Sequence, residues 1–263
     1  YIPLLSIILV YNKINCTFTE MFRHKGKSRT FSHNIKLAAI LSFIAGLVNI
    51  SGVLSVKTLT TNVTGHFAFF AEEFEKKNYT NAFIFLLYIL FFLIGAFISN
   101  LLIEIELRKR PKTAHAAPMI IEIIILILVG YFGKRAELFD SSGQIIACTL
   151  LFAMGIQNSL VTQISDSKVR TTHLTGLFTD LGIELSQLFF YKEPLEKQRL
   201  TRSIYLRLII IAFFFIGCVS GGYLFDVFEL KTLLFAAIFL FVAFFYDNII
   251  YQYYTVKRKF QSR

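Results

Sequence analysis

Charge is scarce in this chain. Only 17% of its 263 residues are Asp, Glu, Lys or Arg, while 55% are hydrophobic and the mean hydropathy is +0.61. That balance excludes an ordinary soluble domain, whose charged share is about a quarter. Tryptophan is absent, so aromatic belts at a membrane surface fall to tyrosines such as Tyr79, Tyr131, Tyr205 and Tyr223. The three cysteines, Cys16, Cys148 and Cys218, form no CxxC or metal-like spacing. Two of them lie in apolar runs, where cysteine acts as a small hydrophobe. No HExxH, GxSxG or glycine-rich phosphate loop occurs, so neither a hydrolase nor an ATP-driven pump is indicated. The expectation is a protein with no catalytic residues, no metal and no cofactor.

What is present is apolar sequence in runs of membrane-crossing length. Six segments of about 20 residues, 37–56, 82–103, 114–133, 143–164, 203–225 and 230–252, are long enough to cross roughly 30 Å of hydrocarbon. Segments 60–74 and 171–191 are not expected to cross, the first being too short before Glu72 and the second carrying Asp180 and Glu184. The excess of 27 Lys and Arg over 17 Asp and Glu, a net charge of +10, reads as the positive-inside bias rather than as nucleic-acid binding. With six crossings, 19 basic residues share one side and six the other, against 17 and eight if the two extra segments also cross. Six spans with both termini cytoplasmic follow from that bias. Residues 1–20 lack a basic leader or cleavage site and are expected to be an upstream extension before Met21, or else a short interfacial segment. The remaining organisation is a basic stretch 21–36, a first membrane repeat 37–133, a second 143–252 and a basic tail 253–263.

The chain contains itself twice. Gly46-Leu47-Val48-Asn49 matches Gly155-Ile156-Gln157-Asn158, and Thr60-Thr61-Asn62-Val63-Thr64-Gly65 matches Thr171-Thr172-His173-Leu174-Thr175-Gly176. Phe91-Phe92-Leu93-Ile94-Gly95 then matches Phe213-Phe214-Phe215-Ile216-Gly217, in the same order. Each copy holds three crossings. Three is odd, so the second copy enters from the opposite side, the inverted duplication found in many secondary transporters. The expected fold is therefore all-α, a polytopic helical membrane protein of six spans in two inverted three-span repeats with two re-entrant half-helices. The Thr-Gly segments supply those half-helices, with Thr as N-cap and Gly allowing close backbone approach. Non-helical backbone at membrane depth survives only inside protein or against a watery cavity.

The motif TTHLTG, preceded by Gly155, Gln157 and Asn158 and followed by Thr179-Asp180-Leu181-Gly182, resembles the YoaK-like family of bacterial integral membrane proteins, a domain of unknown function. The resemblance runs from about Ile35 to Tyr254 and is closest over Thr171, Thr172, His173, Thr175, Gly176 and Asp180. In the first half the family's acidic position holds Asn49 and its final Asn position holds His66. Membership implies a multi-span protein of the bacterial cytoplasmic membrane and supplies no activity.

The candidate solute site gathers Asn49, Thr61, Thr64, Gly65, Gln157, Asn158, Thr172, His173, Thr175 and Gly176. Unpaired N–H groups at a helix N-terminus suit an anion. The alternative is that these residues only cap and pack their own helices. Charges within spans are costly and mark function by default. Asp180 and, deeper in a span, Glu122 are the candidates for proton or ion coupling, whereas Arg207 and Asp247 lie near enough to span ends to reach headgroups. His66 and His173 do not align in the repeat, which argues against a symmetric metal site. The functional expectation is a small secondary transporter or channel-like permease for a small solute, with an anion favoured. A non-transporting scaffold or accessory subunit is the alternative. A lipid-active enzyme using His173 and Asp180 as acid and base is a third reading. Expected partners are membrane lipids and the solute, with a homo-oligomer left open and no nucleic acid.

Overall fold

The computed structural model describes residues 30–109, 115–136 and 142–245, and every regular element among them is helical. In chain order these are α1 (Phe31–Val56), α2 (Val63–Glu75), α3 (Tyr79–Lys109), α4 (Ala116–Ala136), α5 (Ser142–Ser165), α6 (Leu174–Gln187) and α7 (Pro194–Phe228). A 3-10 turn at Glu229–Lys231 then leads into α8, residues 232–245. The expected extension 1–20, the tail 253–263 and Asp247 lie outside the described residues.

Five stretches are long and apolar enough to cross a membrane: Phe31–Val56, Tyr79–Arg108, Ala116–Gly133, Gly143–Ser165 and the 52-residue stretch Pro194–Phe245. At 1.5 Å per residue, that last stretch would be about 78 Å long as one helix, more than twice the hydrocarbon thickness. It is broken at Glu229, whose left-handed φ of 50° ends α7. The 13 residues of α2 and 14 of α6 amount to about 20 Å each, too short to cross. Two helices begin well before the expected spans, α7 at Pro194 instead of residue 203 and α1 at Phe31 instead of residue 37. Thr30 and His33 form a reciprocal capping box, so α1 begins at Phe31, inside the stretch read from sequence as a basic flank.

α1 and α5 are the most buried spans, and α3 and α7 present most of their surface outward. That surface carries Leu93, Phe97, Leu101, Phe215, Ile216 and Val219, an apolar rim suited to lipid. α1 is apolar all round, as a helix enclosed by neighbours must be.

Glycines set the packing. A Cβ on Gly46 of α1 would collide with the Phe214 carbonyl oxygen of α7, and one on Gly217 with the Phe43 carbonyl oxygen. In the other half a Cβ on Gly155 of α5 would collide with the Phe92 carbonyl oxygen of α3, and one on Gly95 with that of Phe152. Backbones approach this closely only where small residues line the crossing. The contact order also fixes direction. Phe31 meets Tyr205, Phe43 meets Gly217 and Leu47 meets Gly221, so α1 and α7 run parallel. Likewise Phe92 meets Gly155 and the Ser99 hydroxyl donates to the Ile156 carbonyl oxygen at 3.1 Å, so α3 and α5 run parallel.

Candidate functional site

Each Thr-Gly segment is tied to the span before it by one side-chain hydrogen bond. The Thr61 hydroxyl donates to Asn49 Oδ1 at 3.0 Å, and at the matching positions the Thr172 hydroxyl donates to Asn158 Oδ1 at 2.6 Å. The Asn158 amide is oriented by donation from its Nδ2 to the Met154 carbonyl oxygen at 2.9 Å. The expectation that threonines cap the half-helices is corrected, because neither N-cap is a threonine and Thr61 and Thr172 bond to the preceding spans instead. The N-cap of α2 is Asn62, whose Oδ1 accepts the Gly65 N–H at 3.1 Å. The N-cap of α6 is His173, which makes no side-chain cap bond. The first-turn N–H groups of α6 therefore lack the side-chain acceptor that α2 has. The His173 ring sits over Gly176, where a Cβ would collide with its Nδ1.

Both segments line a single cavity of about 840 Å³. Thr61, Thr64, Gly65, Asn158, Thr172, His173, Thr175 and Gly176 from the expected set are on its wall, together with Asp180. Asn49 is buried behind Thr61 rather than on the wall. Gln157 is fully buried on α5, with neither amide atom hydrogen-bonded, and is also off the wall. Glu122, expected beside Asp180 as a coupling residue, is the clearest exception: it is fully buried on α4 with no partner for either oxygen and does not line the cavity.

Arg207 also departs from expectation. It turns inward instead of reaching for headgroups, donating from Nε and Nη2 to the two oxygens of Glu184 at 2.8 and 3.0 Å and from Nη1 to Asp180 at 2.8 Å. Pairing of this kind offsets the cost of placing a guanidinium on an apolar helix. The Ser203 hydroxyl adds a bond to Glu184 at 2.6 Å. The two histidines stay apart in role. His66 donates from Nε2 to the Leu59 carbonyl oxygen at 2.8 Å and packs against Tyr88, while His173 lines the cavity.

Arg170 was missed from sequence. It lies on the cavity wall just before the second Thr-Gly segment and has no carboxylate partner among the described residues. The turn that presents it is fixed: the Ser165 hydroxyl accepts the Val169 N–H at 3.0 Å, and Asp166 and Ser167 both adopt left-handed φ. The signal was available in the repeat itself, where Arg170 stands opposite Leu59.

Parallel apolar helices of membrane-crossing length, with two half-length helices beside a shared cavity, define a polytopic helical membrane protein. Residues 37–246 match the family described as "Protein of unknown function (DUF1275)", and the chain belongs to that family. It is similar to the UPF0700 transmembrane protein YoaK of Bacillus subtilis (strain 168), at 24% identity over 184 residues, covering 70% of this chain and 80% of that one. No solved structure matches.

Proposed function

We propose that this protein is a small secondary transporter or channel-like permease of the bacterial cytoplasmic membrane. It has six crossings in two inverted repeats, with α2 and α6 as re-entrant half-helices and both termini cytoplasmic. One observation carries the reading: two Thr-Gly segments more than a hundred residues apart line one cavity of about 840 Å³. Interrupted helices meeting at a shared cavity are how such transporters build a binding site. The matched glycine contacts and the matched Thr–Asn bonds support the duplication, and the break at Glu229 supports a sixth crossing.

A small anion is the favoured solute. The first turn of α6, without a side-chain cap, and Arg170, with no carboxylate partner among the described residues, both offer positive potential to the cavity. Asp180 is the coupling residue in preference to Glu122, because only Asp180 reaches the cavity. No catalytic step is assigned. Reconstituted protein is expected to give saturable uptake of labelled acetate, lactate, nitrate or sulfate, and Thr175→Val to lower it at least about tenfold, a loss of about 1.4 kcal/mol of transition-state stabilisation. Absence of saturable flux for these and for a panel of neutral and cationic solutes would reject the reading. A non-transporting scaffold is the second reading, favoured by the fact that Thr61 and Thr172 spend their hydroxyls on packing bonds.

A further inference from the structure

A second cavity, of about 410 Å³, adjoins the central one through four shared wall residues, Arg170, His173, Gly176 and Asp180. Lys168 and Arg207 also line it, so three cations share the space with one carboxylate. The Arg207 pairs are unequal. Glu184 holds Nε and Nη2 in a two-pronged grip and its side chain is 14% exposed, whereas Asp180 holds Nη1 alone and its side chain is 51% exposed. The Glu184 bond is a sheltered anchor; the Asp180 bond is open to competition from solution.

The first half of the chain supplies an internal control. At the positions matching Asp180 and Arg207 stand Phe69 and Phe85, with ring centroids 5.4 Å apart. At the positions matching Glu184 and Ser203 stand Glu73 and Asn81, still hydrogen-bonded at 3.3 Å. The joint between half-helix and span is thus made in one half by two rings and in the other by an ion pair. Packing alone does not call for the charges. Arg170 likewise replaces Leu59, whereas Lys168 stands opposite Lys57, so Arg170 and Arg207 are the two cations of this cavity that have no cationic counterpart in the first half.

We propose that this cavity binds a small oxyanion, a carboxylate or an inorganic anion, held by Arg170, Lys168 and Arg207 Nη1, with the ligand taking the place of Asp180. Displacing Asp180 loosens α6 from α7 while Glu184 keeps Arg207 aimed. The proposal rests on the permease reading for the ligand's route, but binding is measurable without flux.

The test uses the full chain with Cys16, Cys148 and Cys218 replaced and Ser167→Cys added, in phosphatidylcholine nanodiscs. Labelling rates are compared for a sulfonate-bearing and a trimethylammonium-bearing thiosulfonate, each relative to free cysteine. A potential of about 1.2 kT per elementary charge at this cysteine, on the low side of what charged clefts reach, predicts a preference of about tenfold for the sulfonate over the trimethylammonium reagent, falling several-fold in Arg170→Gln. Millimolar acetate or sulfate should slow labelling while choline does not, and Asp180→Asn should lower the acetate concentration needed. Equal preferences in the parent and Arg170→Gln, or an acetate dependence unmoved by Asp180→Asn, would overturn the proposal. If Asp180→Asn does not fold, the Arg170→Gln comparison decides alone. Protection that arises only when phosphatidylglycerol is added to the discs would assign the site to a lipid headgroup and overturn the free-anion form. Anion protection without flux would reject the permease reading and keep the site; flux without protection would do the reverse.

Discussion

The two halves of this molecule keep the same backbone contacts and differ in their polar chemistry. Gly46 against Phe214 and Gly155 against Phe92 are the same crossing made twice, as are Gly217 against Phe43 and Gly95 against Phe152. Yet Asn62 caps α2 where His173 leaves α6 open, Leu59 stands where Arg170 stands, and two phenylalanines stand where Arg207 meets Asp180. Close glycine crossings tolerate no side chain, so they stay fixed. Residues facing a cavity are free of that constraint and are asymmetric, with Arg170, the Arg207 ion pair and the helix start without a side-chain cap all in the second half.

The largest expected effects break the shared part of the comparison. Gly46→Ala and Gly155→Ala each force apart two backbones in contact and should cost about 1 to 3 kcal/mol by overpacking, read from unfolding in mixed micelles. Equal costs support equivalent halves; a neutral Gly155→Ala beside a costly Gly46→Ala would break the equivalence. The caps come next. Asn62→Ala removes a side-chain cap worth about 1 kcal/mol, whereas His173→Ala removes none and should leave stability unchanged in the same assay. Asn49→Ala and Asn158→Ala each delete one bond to a threonine, and intramembrane hydrogen bonds average about 0.6 kcal/mol. The smallest effect on stability belongs to the double change Asp180→Phe with Arg207→Phe, which copies the first half's joint into the second. It should fold with little change in midpoint while abolishing anion protection at Ser167→Cys. An unfolded double variant would mean that the ion pair is structural.

Much of this architecture was legible in the sequence because membrane physics leaves few options. Twenty apolar residues in a row must be a crossing helix, and TTxxTG occurring twice marked both half-helices, within a few residues of their observed ends. Partners were not legible. Arg207 lies 23 and 27 residues from its carboxylates, a separation that spacing along one helix cannot connect. Glu122 stood out as a charge within an apolar run, but whether it faces the cavity or the packed interior depends on neighbours far along the chain. The threonines looked like caps because Thr is a good cap, yet each N-cap lies one residue later, at Asn62 or His173, and Thr61 and Thr172 bond an asparagine of the preceding span.

The central claim is that the two Thr-Gly segments enclose a site that water and solute reach. The most direct measurement places one cysteine at Thr175, with Cys16, Cys148 and Cys218 removed, and labels it with a membrane-impermeant thiol reagent from each side in turn. The account predicts labelling that small anions block. Silence from both sides, in protein shown to be folded, would contradict it and leave the Thr-Gly segments as packing elements.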